Sequence, residues 1–138
     1  MRAVILTLCF SLSIPVSYAS TCMQERQDAI ALKEHLMVHS EIKVVQAMND
    51  GDERLVIIKT PQRYDDYSFS SLLISKKVSE AENEHVYWIP LAHRKEGNSY
   101  YADFNMSREL LVGATLQFTY KKYKNCGISA ELELVAND

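Results

Sequence analysis

From Glu41 onward the chain alternates apolar and polar residues in short runs, and each run ends at turn-forming or charged residues. A period of two is the pattern of a strand with one buried face, and a helix cannot satisfy it. EIKVVQAM, ERLVIIKT, SFSSLLISKKV, HVYWIPLAH, SYYADFNM, ATLQFTYKKY and ISAELELV read as strands. Asn49-Asp50-Gly51 supplies hairpin turn chemistry between the first two, and Thr60-Pro61 ends the second. PQRYDDY then reads as a polar, tyrosine-bearing loop, SEAENE as a charged link, RKEGN as a turn, SRELLVG as a connection and KNCG as a turn. Spacing of about ten residues between strands predicts an antiparallel β-sandwich of about seven strands, with a small β-barrel as the alternative. The alternation also predicts a core. Phe69, Leu72 and Ile74 face inward, Tyr100, Ala102 and Phe104 share a face, and so do Leu116, Phe118 and Tyr120. Ile128, Ala130, Leu132 and Leu134 do the same in the last strand.

Before this region the period is helical. Thr21 and Gln24 match a capping box, Glu25 and Asp28 place acids near the positive end of the dipole, and Ala29, Leu32 and Leu36 share a face within DAIALKEHL. The spacing predicts one helix over about 21–39. Its end is open, because MVHSEIKVV also reads as the start of a strand. The stretch LLVGATLQFTY, Leu110 to Tyr120, resembles the corner between strands E and F of immunoglobulin-like and fibronectin-type domains, where a leucine, a tight turn and a tyrosine on the next strand recur. The resemblance implies an immunoglobulin-like fold, with Trp88 in the region of a core tryptophan, and it implies no function.

The first residues, MRAVILTLCFSLSIPVSYAS, form a different unit. Arg2 gives a positive start, Ala3 to Phe10 is apolar, Pro15 breaks a helix, and Ser17-Tyr18-Ala19 puts small residues where a signal peptidase reads. This predicts a secretory signal peptide over 1–19 and one mature domain over 20–138, exported to the periplasm or secreted. The apolar run is too short to span a bilayer, and no later segment approaches that length. Lipidation at Cys22 is the alternative, but Ala19-Ser20-Thr21 matches that signal poorly. Cys9 leaves with the signal, so Cys22 and Cys126 remain, and in an oxidising compartment they are expected to form one disulfide. The alternative is two buried free thiols. Removal of Arg2 leaves one fewer than the 15 basic residues against 18 acidic. A mildly acidic domain argues against nucleic acid as the partner.

The candidate sites are few. His35, Met37 and His39 in HLMVH would line one face of a strand, and imidazole with thioether suits copper. On a helix the two histidines fall at the margins of the Leu32–Leu36 face, and boundary packing is then the plainer account. No metal or other cofactor is expected. His85 and His93 flank a different strand. The chain has no G-x-S-x-G elbow, no H-E-x-x-H and no glycine-rich phosphate loop. Asp65-Asp66 and Glu80, Glu82 and Glu84 offer paired carboxylates, but in polar segments where solvated charge is the usual explanation. No catalytic residue is assigned.

Recognition chemistry is better represented. Arg63, Tyr64, Asp65, Asp66 and Tyr67 have the composition of an adaptable binding loop, unless the tyrosines fold back over the core edge. Lys121, Lys122, Tyr123 and Lys124 form a basic cluster that suits an acidic partner or protects an edge strand from unwanted pairing. The sequence therefore points to a small exported, non-enzymatic module that binds another envelope or extracellular protein, as inhibitors, immunity-type proteins and assembly adaptors do. A glycan- or copper-binding periplasmic module is the alternative.

Overall fold

The computed structural model describes residues 25–47, 51–80, 83–123 and 126–135. In chain order the elements are α1 (Glu25–His39), β1 (Glu41–Gln46), β2 (Glu53–Pro61), β3 (Arg63–Tyr64), β4 (Tyr67–Glu80) and β5 (Asn83–Pro90), then β6 (Arg94–Glu96), β7 (Ser99–Ser107), α2 (Arg108–Leu111), β8 (Ala114–Tyr123) and β9 (Cys126–Glu133). The strands make two antiparallel sheets. One has the order β1-β2-β7-β6. In the other, β4 pairs along one edge with β8, which pairs with β9, while its other edge carries β3 at its start and β5 at its end. Neither sheet closes into a barrel among the described residues.

Each of the seven runs contains a strand, although β1 ends at Gln46, β5 at Pro90 and β9 at Glu133. The differences lie in the connections. PQRYDDY is no open loop: Pro61 still belongs to β2, Tyr64 pairs with Tyr67, and Asp65 turns the chain at φ 50°. Part of RKEGN is β6, paired with Ser99–Tyr101. SRELLVG holds α2, capped by Ser107, whose Oγ accepts from Leu110 N at 3.4 Å. Cys126 and Gly127 begin β9 where a turn was expected, and the two ends of the charged link lengthen β4 and β5. Pieces of two to four residues carry too few positions to show a period, and only pairing reveals them. The signal segment, Thr21, Cys22, Asn49, Asp50, Glu82 and Lys124 lie outside the described residues.

One apolar cluster joins both sheets to α1. Leu32 and Leu36, one helical turn apart, are fully buried, and α1 lies against β9 and β2. Val56, Ile58 and Ala102 come from the first sheet, and Leu72, Ile74, Leu116, Phe118, Ile128 and Ala130 from the second. Tyr100, Phe104 and Leu132, expected inward, are half-buried against the cluster.

Tyr120 is fully buried, and its hydroxyl crosses between sheets. It donates to the Pro61 carbonyl at 2.6 Å, which uses its one proton. Thr60 Oγ1, 3.0 Å away, must then donate to Tyr120, and Ser40 Oγ, at 3.1 Å, to Thr60. This relay ties the end of α1 to β2 and β8, and burial pushes the Tyr120 phenol up. In an immunoglobulin-type tyrosine corner the hydroxyl bonds to backbone a few residues upstream. Here it reaches a different sheet, and Trp88 is 46% exposed rather than in the core.

Candidate functional site

β5 departs from the logic of the other strands. Its pairing puts Tyr87 beside Lys76 and Ile89 beside Ile74, on the face that elsewhere is buried, and Trp88 beside Ser75 and Val86 beside Lys77 on the other. Yet Val86, Tyr87, Trp88 and Ile89 are 43%, 53%, 46% and 52% exposed. β5 is apolar on both faces and covered on neither. It is also an edge. Leu91 N donates to Leu72 O at 3.0 Å, and ladder alternation then directs the backbone of Trp88 and Val86 away from β4. Among the described residues no strand pairs with that outer edge.

The cause lies in the facing sheet. β6 pairs with β7 only as far as Tyr101, so β7 has no described strand along its outer edge from Ala102 to Ser107. The inner side of β5 consequently borders a groove of about 300 Å³, closed by Ile74 and Ala114 at its floor and by Met106 and Leu110 opposite. α2 orients that wall: Leu111 is fully buried, while Leu110 and Val112 are exposed. Gly113, at φ 73°, turns the chain into β8. Lys76 stands in the groove and donates from Nζ to the Glu109 carbonyl at 2.6 Å. In the sequence this region shows only as four consecutive apolar residues, Val86–Ile89, which do not reveal that the facing strand stops short.

The corner singled out from sequence is packed more tightly than a recognition loop. Tyr67 is buried, and its hydroxyl donates to Asp28 Oδ2 of α1 at 2.8 Å. Lys122 lies over the Tyr67 ring, 5.6 Å from its centroid, and pairs with Asp66. Tyr64 stacks 6.5 Å from Tyr67 and is half-buried, and burial pushes its phenol up, helped by Asp28, Asp65 and Glu34. Arg63, Asp65 and Lys121 are exposed. The structure thus brings together Tyr64, Asp66, Tyr67 and Lys122. Of Tyr123 only the backbone is described.

α1 continues through His39, so HLMVH is helical. His35 and His39 face each other with ring centroids 4.3 Å apart, and Tyr64 lies 5.0 Å from His35. Met37 is 68% exposed, and helical geometry turns it off the face of the two histidines. The arrangement of all three on a strand is therefore replaced by a pair. Burial, and then His39, holds the His35 imidazole below its ordinary pKa. Among the described residues no three His, Cys, Asp or Glu side chains are grouped to hold a metal. His93 packs on Phe69 and Tyr100, 5.0 and 5.4 Å between centroids. No described helix is long and apolar enough to cross a membrane.

The chain matches no known family model, no curated protein and no solved structure.

Proposed function

We propose that the protein is a small exported, non-enzymatic protein-binding module, an inhibitor, immunity-type protein or envelope assembly adaptor, built as a two-sheet sandwich. The observation that carries this is β5, whose outer edge pairs with no strand among the described residues and whose four consecutive apolar residues are exposed on its two faces. An isolated exposed leucine is ordinary, but a contiguous apolar edge is costly unless a partner covers it. A partner strand added there would gain the outward backbone groups of Val86 and Trp88 and cover their side chains. Arg63, Asp65 and Lys121, with the exposed part of Tyr64, form a second contact surface at the opposite corner.

Export rests on the composition of residues 1–19. The Cys22–Cys126 bridge belongs to the same proposal, and the described geometry favours it. Asp28 meets Tyr67, Ser68 pairs with Lys121, and Lys121 pairs with Gly127, so the first turns of α1 lie beside the start of β9. Mass spectrometry of an unreduced digest is expected to find the two cysteine peptides joined.

The test is affinity capture with the tagged, oxidised chain from residue 20, in wild-type form and as Val86→Lys. The variant places a charge on the outer face without touching the core. A stoichiometric partner held by wild type and lost by Val86→Lys, at unchanged melting temperature, supports the proposal. Equal capture by both removes β5 as the contact.

A further inference from the structure

The groove beneath β5 has chemistry of its own. Its lining from Ile74, Tyr87, Ile89, Met106, Leu110 and Ala114 is apolar, and one cation, Lys76, stands in its wall. Only a carbonyl, that of Glu109, accepts from this ammonium. Among the described residues no carboxylate lies within ion-pair distance of it, that of Glu109 included. An ammonium has three donors, so two remain for a ligand. Lys43, Lys59 and Lys122 each have a carboxylate beside them. Lys76 differs from these three in its apolar surroundings and in having no counter-charge among the described residues. A cation so placed attracts an anion more strongly than a fully solvated one does.

We propose that this groove binds a single-chain aliphatic carboxylate, a fatty acid, with the chain along β5 and the head group at Lys76. At about 300 Å³ it lies at the small end of ligand sites, with room for roughly ten methylenes if each takes about the volume of a water molecule, ~30 Å³. Of the polar groups in the lining, the buried Ser75 hydroxyl already donates to Thr115 at 3.3 Å, which leaves a largely hydrocarbon surface for a methylene chain. Among the described residues no strand borders β7 from Ala102 to Ser107, and the groove is open along that length. This inference goes beyond the protein-binding proposal and does not depend on it, because that proposal uses the outer face and edge of β5.

The chain carries its own reporter. Trp88, the sole tryptophan, borders the groove. Octanoate, decanoate and dodecanoate are titrated below their micelle concentrations into the oxidised chain from residue 20, with Trp88 emission and calorimetry as readouts. The expected result is one saturable site per chain. Each methylene added within the groove tightens binding about fourfold, until the groove is full. Dodecyltrimethylammonium, with the same tail and the opposite charge, binds at least about tenfold more weakly than dodecanoate, and added salt narrows the gap. Lys76→Met removes the preference for carboxylate and keeps the chain-length dependence, while Val86→Lys changes neither. The proposal is overturned if neither emission nor calorimetry saturates, if the two head groups bind equally, or if Lys76→Met keeps the preference. It is also overturned if the protein takes up anionic phospholipid vesicles and ignores the monomeric acids. Loss of partner capture in Val86→Lys alongside a negative titration would leave the protein-binding proposal standing and this one refuted.

Discussion

The two ends of β8 show what covering does for a strand. Near Tyr120 the side chains are enclosed: α1 supplies Leu32 and Leu36, and Ser40 donates to Thr60, Thr60 to Tyr120 and Tyr120 to the Pro61 carbonyl. Near Ala114 the neighbouring strands carry equally apolar residues, yet Tyr87 and Ile89 remain half-exposed, because among the described residues no strand extends the facing sheet beyond β7 from Ala102 to Ser107. Alternation fixes which face a side chain takes, and the facing element decides whether that face is buried. The closed end holds the molecule together, and the open end has apolar surface to offer a ligand or partner.

The contrast breaks most readily by truncating one aliphatic residue at each end. Leu36→Ala removes a fully buried side chain and is expected to cost about 2–5 kcal/mol in urea unfolding, whereas Ile89→Ala costs under about 1 kcal/mol. Should Ile89→Ala prove as damaging as Leu36→Ala, β5 is covered in solution, and the open end is already occupied. At the Tyr64–Tyr67 corner the same logic separates two neighbours. Tyr67→Ser loses a buried ring and the bond to Asp28, and a fall of about 2 kcal/mol is expected. Tyr64→Ser, at a half-buried position, is expected to lose less than about half as much. Equal effects would mean that the two rings act as one packed unit.

A smaller change sharpens the contrast by removing a single oxygen. Tyr120→Phe keeps the packing and strands the Pro61 carbonyl and the Thr60 hydroxyl, at a cost of about 1–2 kcal/mol and a melting temperature lower by several degrees. Tyr87→Phe, at the open end, is expected to leave the melting temperature where it was. A neutral result for Tyr120→Phe would show that water replaces the hydroxyl and that the relay adds nothing net.

Much of this was written in the chain. Leu116, Phe118 and Tyr120 advertise a buried face by their spacing, and the same holds for Ile128 and Ala130. Leu32 and Leu36 mark the helix face in the same way. The groove was not legible, for a physical reason. Four consecutive apolar residues in HVYWIPLAH would suit a strand buried on both faces, and its exposure follows from β6 stopping at three residues, a non-local fact that no window of sequence contains. At the corner tyrosines the sequence left two readings open, and Tyr67 takes the one in which the ring folds back over the core edge. Charged neighbours made Arg63–Tyr67 look like a solvated loop, while Asp28, far away in sequence, receives the Tyr67 hydroxyl.

The smallest expected effect concerns His35, where α1 meets Tyr64. Its imidazole is kept below the ordinary value of 6.5 by burial first and by His39 second, so the fold prefers the neutral ring. The facing groups are Tyr64 and His39, with Asp28, Glu34 and Asp65 acting on the same tyrosine. In the unfolded chain His35 takes a proton more readily. Its neutral-ring contribution to stability is therefore full above that ordinary value and is lost as the pH falls through the lowered folded one. Wild type is expected to lose about 1–2 °C more than His35→Gln between about pH 7.5 and pH 5. A His39→Gln variant separates the two causes: it removes the neighbouring charge, leaves burial, and is expected to retain most of the pH dependence of His35. If His39→Gln abolishes it, charge repulsion within the pair outweighs burial, and the covered end of the molecule is more open to water at α1 than its core suggests.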